Sequence, residues 1–121
     1  MVLILGGLGA GKRTYAKTLG FTDAEMSNDP YADAPVLVAL EATVKADPAS
    51  AEALLPRLLG KKLVLCREVG SGVIPTDSGE REWREAAGRL CIALAEQADA
   101  VVRVVCGVPT LLTGELPCMC D

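Results

Sequence analysis

Val2-Leu3-Ile4-Leu5-Gly6-Gly7-Leu8-Gly9-Ala10-Gly11-Lys12-Arg13-Thr14 opens the chain with an apolar run, a glycine-rich stretch and a lysine. Four aliphatic residues bounded by glycine predict a short, fully buried strand. The glycines behind it let the backbone curl so that several N–H groups converge on one anion. A helix is expected from near Gly11 to about Leu19, ended by Gly20. Gly6 to Lys12 therefore fits the phosphate-loop pattern G-x-x-x-x-G-K, in the required place between strand and helix. Gly6, Gly7, Leu8, Gly9, Ala10, Gly11, Lys12, Arg13 and Thr14 are the expected binding segment for a nucleoside triphosphate, ATP or GTP. Lys12 is a candidate catalytic residue, since its mobile charge reaches the outer phosphates. A full motif has Ser or Thr after the lysine, to ligate magnesium; here Arg13 stands there and Thr14 follows. Successive helix residues lie about 100° apart, so Thr14 points elsewhere. Magnesium is then expected on phosphate oxygens, water and a carboxylate.

Three more apolar runs follow. Val36 to Leu40 predicts a second strand with Glu41 at its end, Lys62 to Cys66 a third with Glu68 just beyond, and Ala100 to Cys106 a fourth with Arg103 as its one charge. Residues 21–34 are polar and carry Asn28-Asp29-Pro30, which predicts a loop. Residues 49–59 predict a helix capped by Ser50, disturbed by Pro56 and ended by Gly60. Glu80 to Ala98 carries the longest helical stripe, with Trp83, Ala87, Leu90, Leu94 and Ala98. Gly107 to Asp121 reads as a surface crossing. Strands alternating with helices predict a three-layer α/β/α fold like that of P-loop NTPases, with a mainly parallel sheet. One domain is expected over 1–107, with 108–121 as its extension.

Ligands of such sheets bind at the carboxyl ends of the strands. The glycine loop, Glu41 and the segment from Glu68 all leave such ends. Glu41 is placed to hold a metal-bound water or act as a base, and it is the candidate magnesium ligand. Glu68 competes for that role, so both carboxylates are candidate catalytic residues.

The composition narrows the function. The 121 residues carry 16 acidic and 12 basic side chains, a net charge of -4, which leaves no basic face for nucleic acid. There is no apolar run long enough to span a membrane. The early positive charges follow the apolar start instead of preceding it, the wrong order for a secretory leader, so the cytoplasm is expected. The five cysteines argue against a disulfide framework, and Cys66 and Cys106 read as small core residues. Cys118 and Cys120 read as thiols of a frayed tail.

Glu68-Val69-Gly70-Ser71-Gly72-Val73-Ile74-Pro75, then Trp83-Arg84-Glu85-Ala86-Ala87-Gly88-Arg89 and Leu94-Ala95-Glu96-Gln97-Ala98-Asp99, resembles the adenosylcobinamide kinase/adenosylcobinamide-phosphate guanylyltransferase family. The resemblance runs from the first residue to about Gly107. It implies a P-loop-type parallel sheet, phosphorylation of the aminopropanol hydroxyl of a corrinoid substrate by ATP or GTP, and a homo-oligomer serving cobalamin synthesis. By the same resemblance, Gly6, Gly7, Gly11 and Lys12 match phosphate-binding positions and Glu41 a nucleotide-site carboxylate. The family's second reaction passes GMP through a histidine, and this chain has none. Ala10 and Arg13 stand where the family has serines, and Leu90-Cys91-Ile92 where it tends to have Asn-Gln. The resulting expectation is a kinase without guanylyl transfer. The alternative is a nucleotide-binding or regulatory subunit that has lost catalysis.

Overall fold

The computed structural model describes residues 1–7, 9–68 and 78–117. Leu8, the expected loop from Val69 to Pro75, Cys118 and Cys120 lie outside the described residues. Six strands form one sheet in the order β2-β3-β4-β1-β5-β6. They are β1 (Val2–Gly6), β2 (Met26–Ser27), β3 (Val36–Leu37), β4 (Leu63–Arg67), β5 (Ala100–Val105) and β6 (Val108–Gly114). All neighbours pair in parallel except β5 with β6, which is antiparallel. The helices are α1 (Lys12–Thr18), α2 (Leu40–Ala46), α3 (Leu55–Leu59) and α4 (Ser78–Gln97).

Strand alternation divides the apolar residues between two cores. Val2 and Ile4 of β1, Leu63 and Leu65 of β4, and Val102 and Val104 of β5 pack with Ala16 of α1 and Phe21. Leu3, Val64, Cys66 and Val101 face the other way, against Leu40 and Val44 of α2, Leu58 of α3, and Leu90 and Leu94 of α4. The sheet is thus covered on both faces, the three-layer arrangement expected of near-continuous aliphatic strands. With Phe21 as the one buried aromatic among the described residues, the core relies on close packing of Val, Leu, Ile and Ala.

Four expectations need correction. The run Val36 to Leu40 is strand only to Leu37; Ala39 turns into the left-handed region at φ 56°, and Leu40 opens α2. Leu40 and Val44 share a buried helix face, so the short apolar run held the start of a helix that periodicity could not separate from a strand. Residues 21–34 are not all loop. Thr22 and Glu25 close a capping box over a 3-10 turn, and Met26–Ser27 then adds strand β2. Residues 49–59 are two 3-10 turns followed by α3; Ser50 lies inside the first turn and caps nothing, while Pro56 sits in the first turn of α3, where its missing N–H is tolerated. Gly107 onward returns as strand β6 instead of crossing the surface.

Leu94 is fully buried where α4 meets the sheet. Leu94→Ala should lower stability by about 2–5 kcal/mol, read from denaturant unfolding, with the slope of the transition unchanged.

Candidate active site

The site is built at the carboxyl end of β1. An ideal Cβ on Gly6 would lie 2.7 Å from the carbonyl oxygen of Val104 and 3.2 Å from both Ala10 Cβ and Lys12 Cγ. Glycine is therefore the residue that lets β1 and β5 stay paired while the chain turns. Ala10 N–H donates to the Gly7 carbonyl at 3.2 Å, and the Gly107 N–H donates to the Ala10 carbonyl at 2.8 Å. Gly11, at φ +98°, passes with its Cβ direction 3.2 Å from Gly107 Cα. The β5–β6 turn thus braces the glycine loop from outside.

α1 begins at Lys12, whose ammonium curls back to donate to the carbonyls of Gly6 and Gly7 at 3.0 and 2.9 Å. Burial pulls the Lys12 pKa below its ordinary 10.5, a shift that Glu41 and Cys66 oppose. Lys12 shares a cleft of about 420 Å³ with Gly9, Thr14, Val38, Ala39 and Glu41. Arg13 and Thr14 are exposed at its rim.

Glu41 arrives from the first turn of α2, not from a strand end. The left-handed Ala39 swings the chain so that Glu41 reaches the end of β4. There its Oε1 accepts the N–H of Arg67 at 2.9 Å. Its Oε2 is buried and has no hydrogen-bond partner among the described residues. Unsatisfied buried carboxylate oxygens are rare in folded proteins and mark places where a ligand, ion or water belongs.

Glu68 does something else. Its carboxylate grips the Arg103 guanidinium, with Oε1 at 2.7 Å from Nε and Oε2 at 3.2 Å from Nη2. It lines a separate cavity of about 300 Å³ with Gly7, Arg103 and Cys106, on the far side of the loop. The fold therefore puts Glu41 with Lys12 and Glu68 with Arg103. Cys106 is no core residue: it is exposed, at φ 50°, in the β5–β6 turn.

Sequence reasoning missed the brace from Gly107. A signal was present: Val105-Cys106-Gly107-Val108 has the X-Gly pair between apolar residues that favours a two-residue hairpin. Both turn residues have positive φ, as that hairpin demands.

Residues 30–112 match the family model described as cobinamide kinase / cobinamide phosphate guanyltransferase. A stretch of 61 residues is 36% identical to the bifunctional adenosylcobalamin biosynthesis protein CobP of Pseudomonas aeruginosa. That stretch covers 50% of this chain and 35% of the relative, so about a third of the relative's length is matched. The family match includes Glu41, Glu68 and the β5–β6 hairpin but begins after the Gly6–Thr14 loop. It is thus displaced from the resemblance seen in the sequence, which began at the first residue.

Gly6→Ala should destabilise the fold by about 1–3 kcal/mol, since backbone and not a flexible side chain blocks the new methyl. Gly7→Ala, where nothing lies within 4 Å, should stay within about 0.5 kcal/mol of wild type in the same unfolding experiment.

Proposed function

The chain belongs to the cobinamide kinase / cobinamide phosphate guanyltransferase family, and from that premise we propose that it binds a nucleoside triphosphate over the Gly6–Thr14 loop and transfers the terminal phosphoryl group to the alcohol of a cobinamide-type corrinoid. One observation carries the reading: Lys12 and Glu41, whose buried Oε2 has no hydrogen-bond partner among the described residues, line the same cleft beside the glycine loop. Phosphoryl transfer asks mainly for positioned charge, and this pair supplies one of each sign. Lys12 would leave the carbonyls of Gly6 and Gly7 and meet the outer phosphates. Glu41, its Oε1 fixed by Arg67, would present Oε2 to the acceptor hydroxyl and take up its proton.

Magnesium fits the same group. Glu41, with one carboxylate oxygen unpartnered among the described residues, and Thr14 both line the cleft, while Arg13 offers no ligand atom. Bound beside the Glu41 carboxylate, magnesium would neutralise phosphate charge, held by phosphate oxygens and water, with Oε2 left for the acceptor hydroxyl. Guanylyl transfer through an imidazole lies outside the proposal, because the chain has no histidine.

A second reading is favoured by Arg13. An arginine at the rim, where a magnesium-binding hydroxyl is usual, suits phosphate binding without turnover. It predicts nucleotide affinity that is unchanged when magnesium is chelated.

Calorimetry with ATP and with GTP, with and without magnesium, separates the readings. Lys12→Ala should weaken binding by about 10–100-fold, the loss of charge-assisted hydrogen bonds to phosphate. No binding by wild type with either nucleotide would sink the proposal. Formation of cobinamide phosphate should need magnesium, and Glu41→Gln should slow it by about 100-fold or more while leaving nucleotide affinity largely intact.

Lys12 also sets a pH dependence. Its pKa is lowered in the free protein, and phosphate would raise it again, so binding on the alkaline side takes up protons. Affinity should therefore fall as pH rises through the lowered Lys12 value, earlier than an ordinary lysine would give. Lys12→Ala should remove that limb of the pH–affinity profile.

A further inference from the structure

Cys66 lies on β4, and Cys91 lies on α4, the helix that covers that face of the sheet. Their Sγ atoms are 3.7 Å apart, amid Leu3, Leu37, Ala87 and Leu90. Cys66 is completely buried, whereas Cys91 is half-buried and reaches the surface. The contact between them and burial hold the Cys66 thiol protonated, well above its ordinary range. The same contact lowers the pKa of Cys91, which makes Cys91 the accessible nucleophile of the pair.

We propose that Cys66 and Cys91 are a modification site, closing into a reversible intramolecular disulfide that ties β4 to α4 beneath the seat of Glu41. The oxidant is a small disulfide, for which oxidised glutathione is the probe. Cys91 gives its proton to solvent, and its thiolate attacks one glutathione sulfur. The glutathione S–S bond breaks, and one glutathione leaves as thiolate. Cys66 then attacks the Cys91 sulfur of the mixed disulfide, its proton passing to the second glutathione, which leaves as the thiol when the Cys91–glutathione S–S bond breaks. Two cysteine thiols lose two electrons and two protons, and one oxidised glutathione becomes two reduced molecules. Intracellular disulfides of this kind are typically transient and regulatory.

Closure has a structural consequence. A disulfide needs its sulfurs about 2.05 Å apart, so closure must move the Cys66 and Cys91 side chains, and the backbone as far as rotation falls short, across the missing distance. The movement is applied at Cys66. Its Sγ contacts the Arg67 carbonyl at 3.3 Å, and the Arg67 N–H holds Glu41 at 2.9 Å. Oxidation should therefore disturb the carboxylate facing Lys12, an effect that rests on the nucleotide reading above, whereas closure itself does not.

The test uses the full chain carrying Cys106→Ser, Cys118→Ser and Cys120→Ser, which leaves the pair as its only thiols. After native incubation with oxidised glutathione, a non-reducing peptide map should show a Cys66–Cys91 cross-link. Thiol titration should find both thiols lost, and dithiothreitol should restore both. Glutathione resting on Cys91 without ring closure, or two thiols still free, overturns the proposal. ATP affinity should weaken on closure and recover on reduction; closure with unchanged affinity overturns the coupling to Glu41. If the reduced protein binds no nucleotide, the function reading has failed, and the peptide map still decides whether the disulfide forms.

Discussion

The carbonyl oxygen of Val104 stands 2.7 Å from where a side chain on Gly6 would begin. β1 is held between β4 and β5 to its last residue, with Gly6 opposite Arg67 on one side and Val104 on the other. The Gly6 carbonyl also accepts the N–H of Glu68 at 3.0 Å. A chain so confined has to turn out of the sheet through residues without side chains, and the turn has to be tight. The second constraint comes from Gly107, whose N–H fixes Ala10 and whose α-carbon leaves no room beside Gly11. Gly6, Ala10 and Gly11 are therefore held by the sheet and the β5–β6 hairpin without any ligand. Such bracing would serve the proposed phosphate site, because ordering a glycine loop at the moment of binding would lose much of the affinity.

The same rigidity sorts the acidic residues. Glu68 sits immediately after β4 and has both oxygens on Arg103. Glu41 has one oxygen on a backbone N–H and one without a partner among the described residues. Its position depends on Ala39, which adopts a left-handed conformation that disfavours a residue bearing a Cβ by roughly 1–2 kcal/mol. Strain and an unsatisfied oxygen at one cleft are both local disadvantages to folding, and they fall within three residues of each other. Such features persist where the surrounding structure over-determines them, and they cluster at functional sites.

Much of this was legible in the residues. Val2 to Leu5, Lys62 to Cys66 and Ala100 to Cys106 read as buried strands because parallel strands covered on both faces are nearly continuously aliphatic, and the strands fall there with ends shifted by one residue. The glycine loop was legible because few backbones other than this one require Gly6 and Gly11 together. The boundary at Leu37 was not, since Val36 to Leu40 is apolar throughout and the change from strand to helix is made by an alanine at positive φ. β2 was hidden because two residues cannot show an alternation. The pairing of Glu68 with Arg103 was invisible for a different reason: the two are far apart in sequence and adjacent only once β5 lies beside β1.

The family match and the loop geometry bear on the site independently, since the match begins at residue 30 and the loop ends well before it. They meet at Lys12 and Glu41. Lys12 is partly desolvated, so its charge is less comfortable here than in water, and Glu41 is the first of the groups that offset this. Yet Lys12 donates to two carbonyls of its own loop instead of to Glu41. Lys12 thus rests on neutral partners, and Glu41 keeps one buried oxygen with no partner among the described residues. A direct Lys12–Glu41 salt bridge would have neutralised both and left nothing to act on a ligand. Held apart, they leave one charge of each sign available, and the proposed phosphoryl transfer to an alcohol would use Lys12 for the anionic group and Glu41 for the hydroxyl.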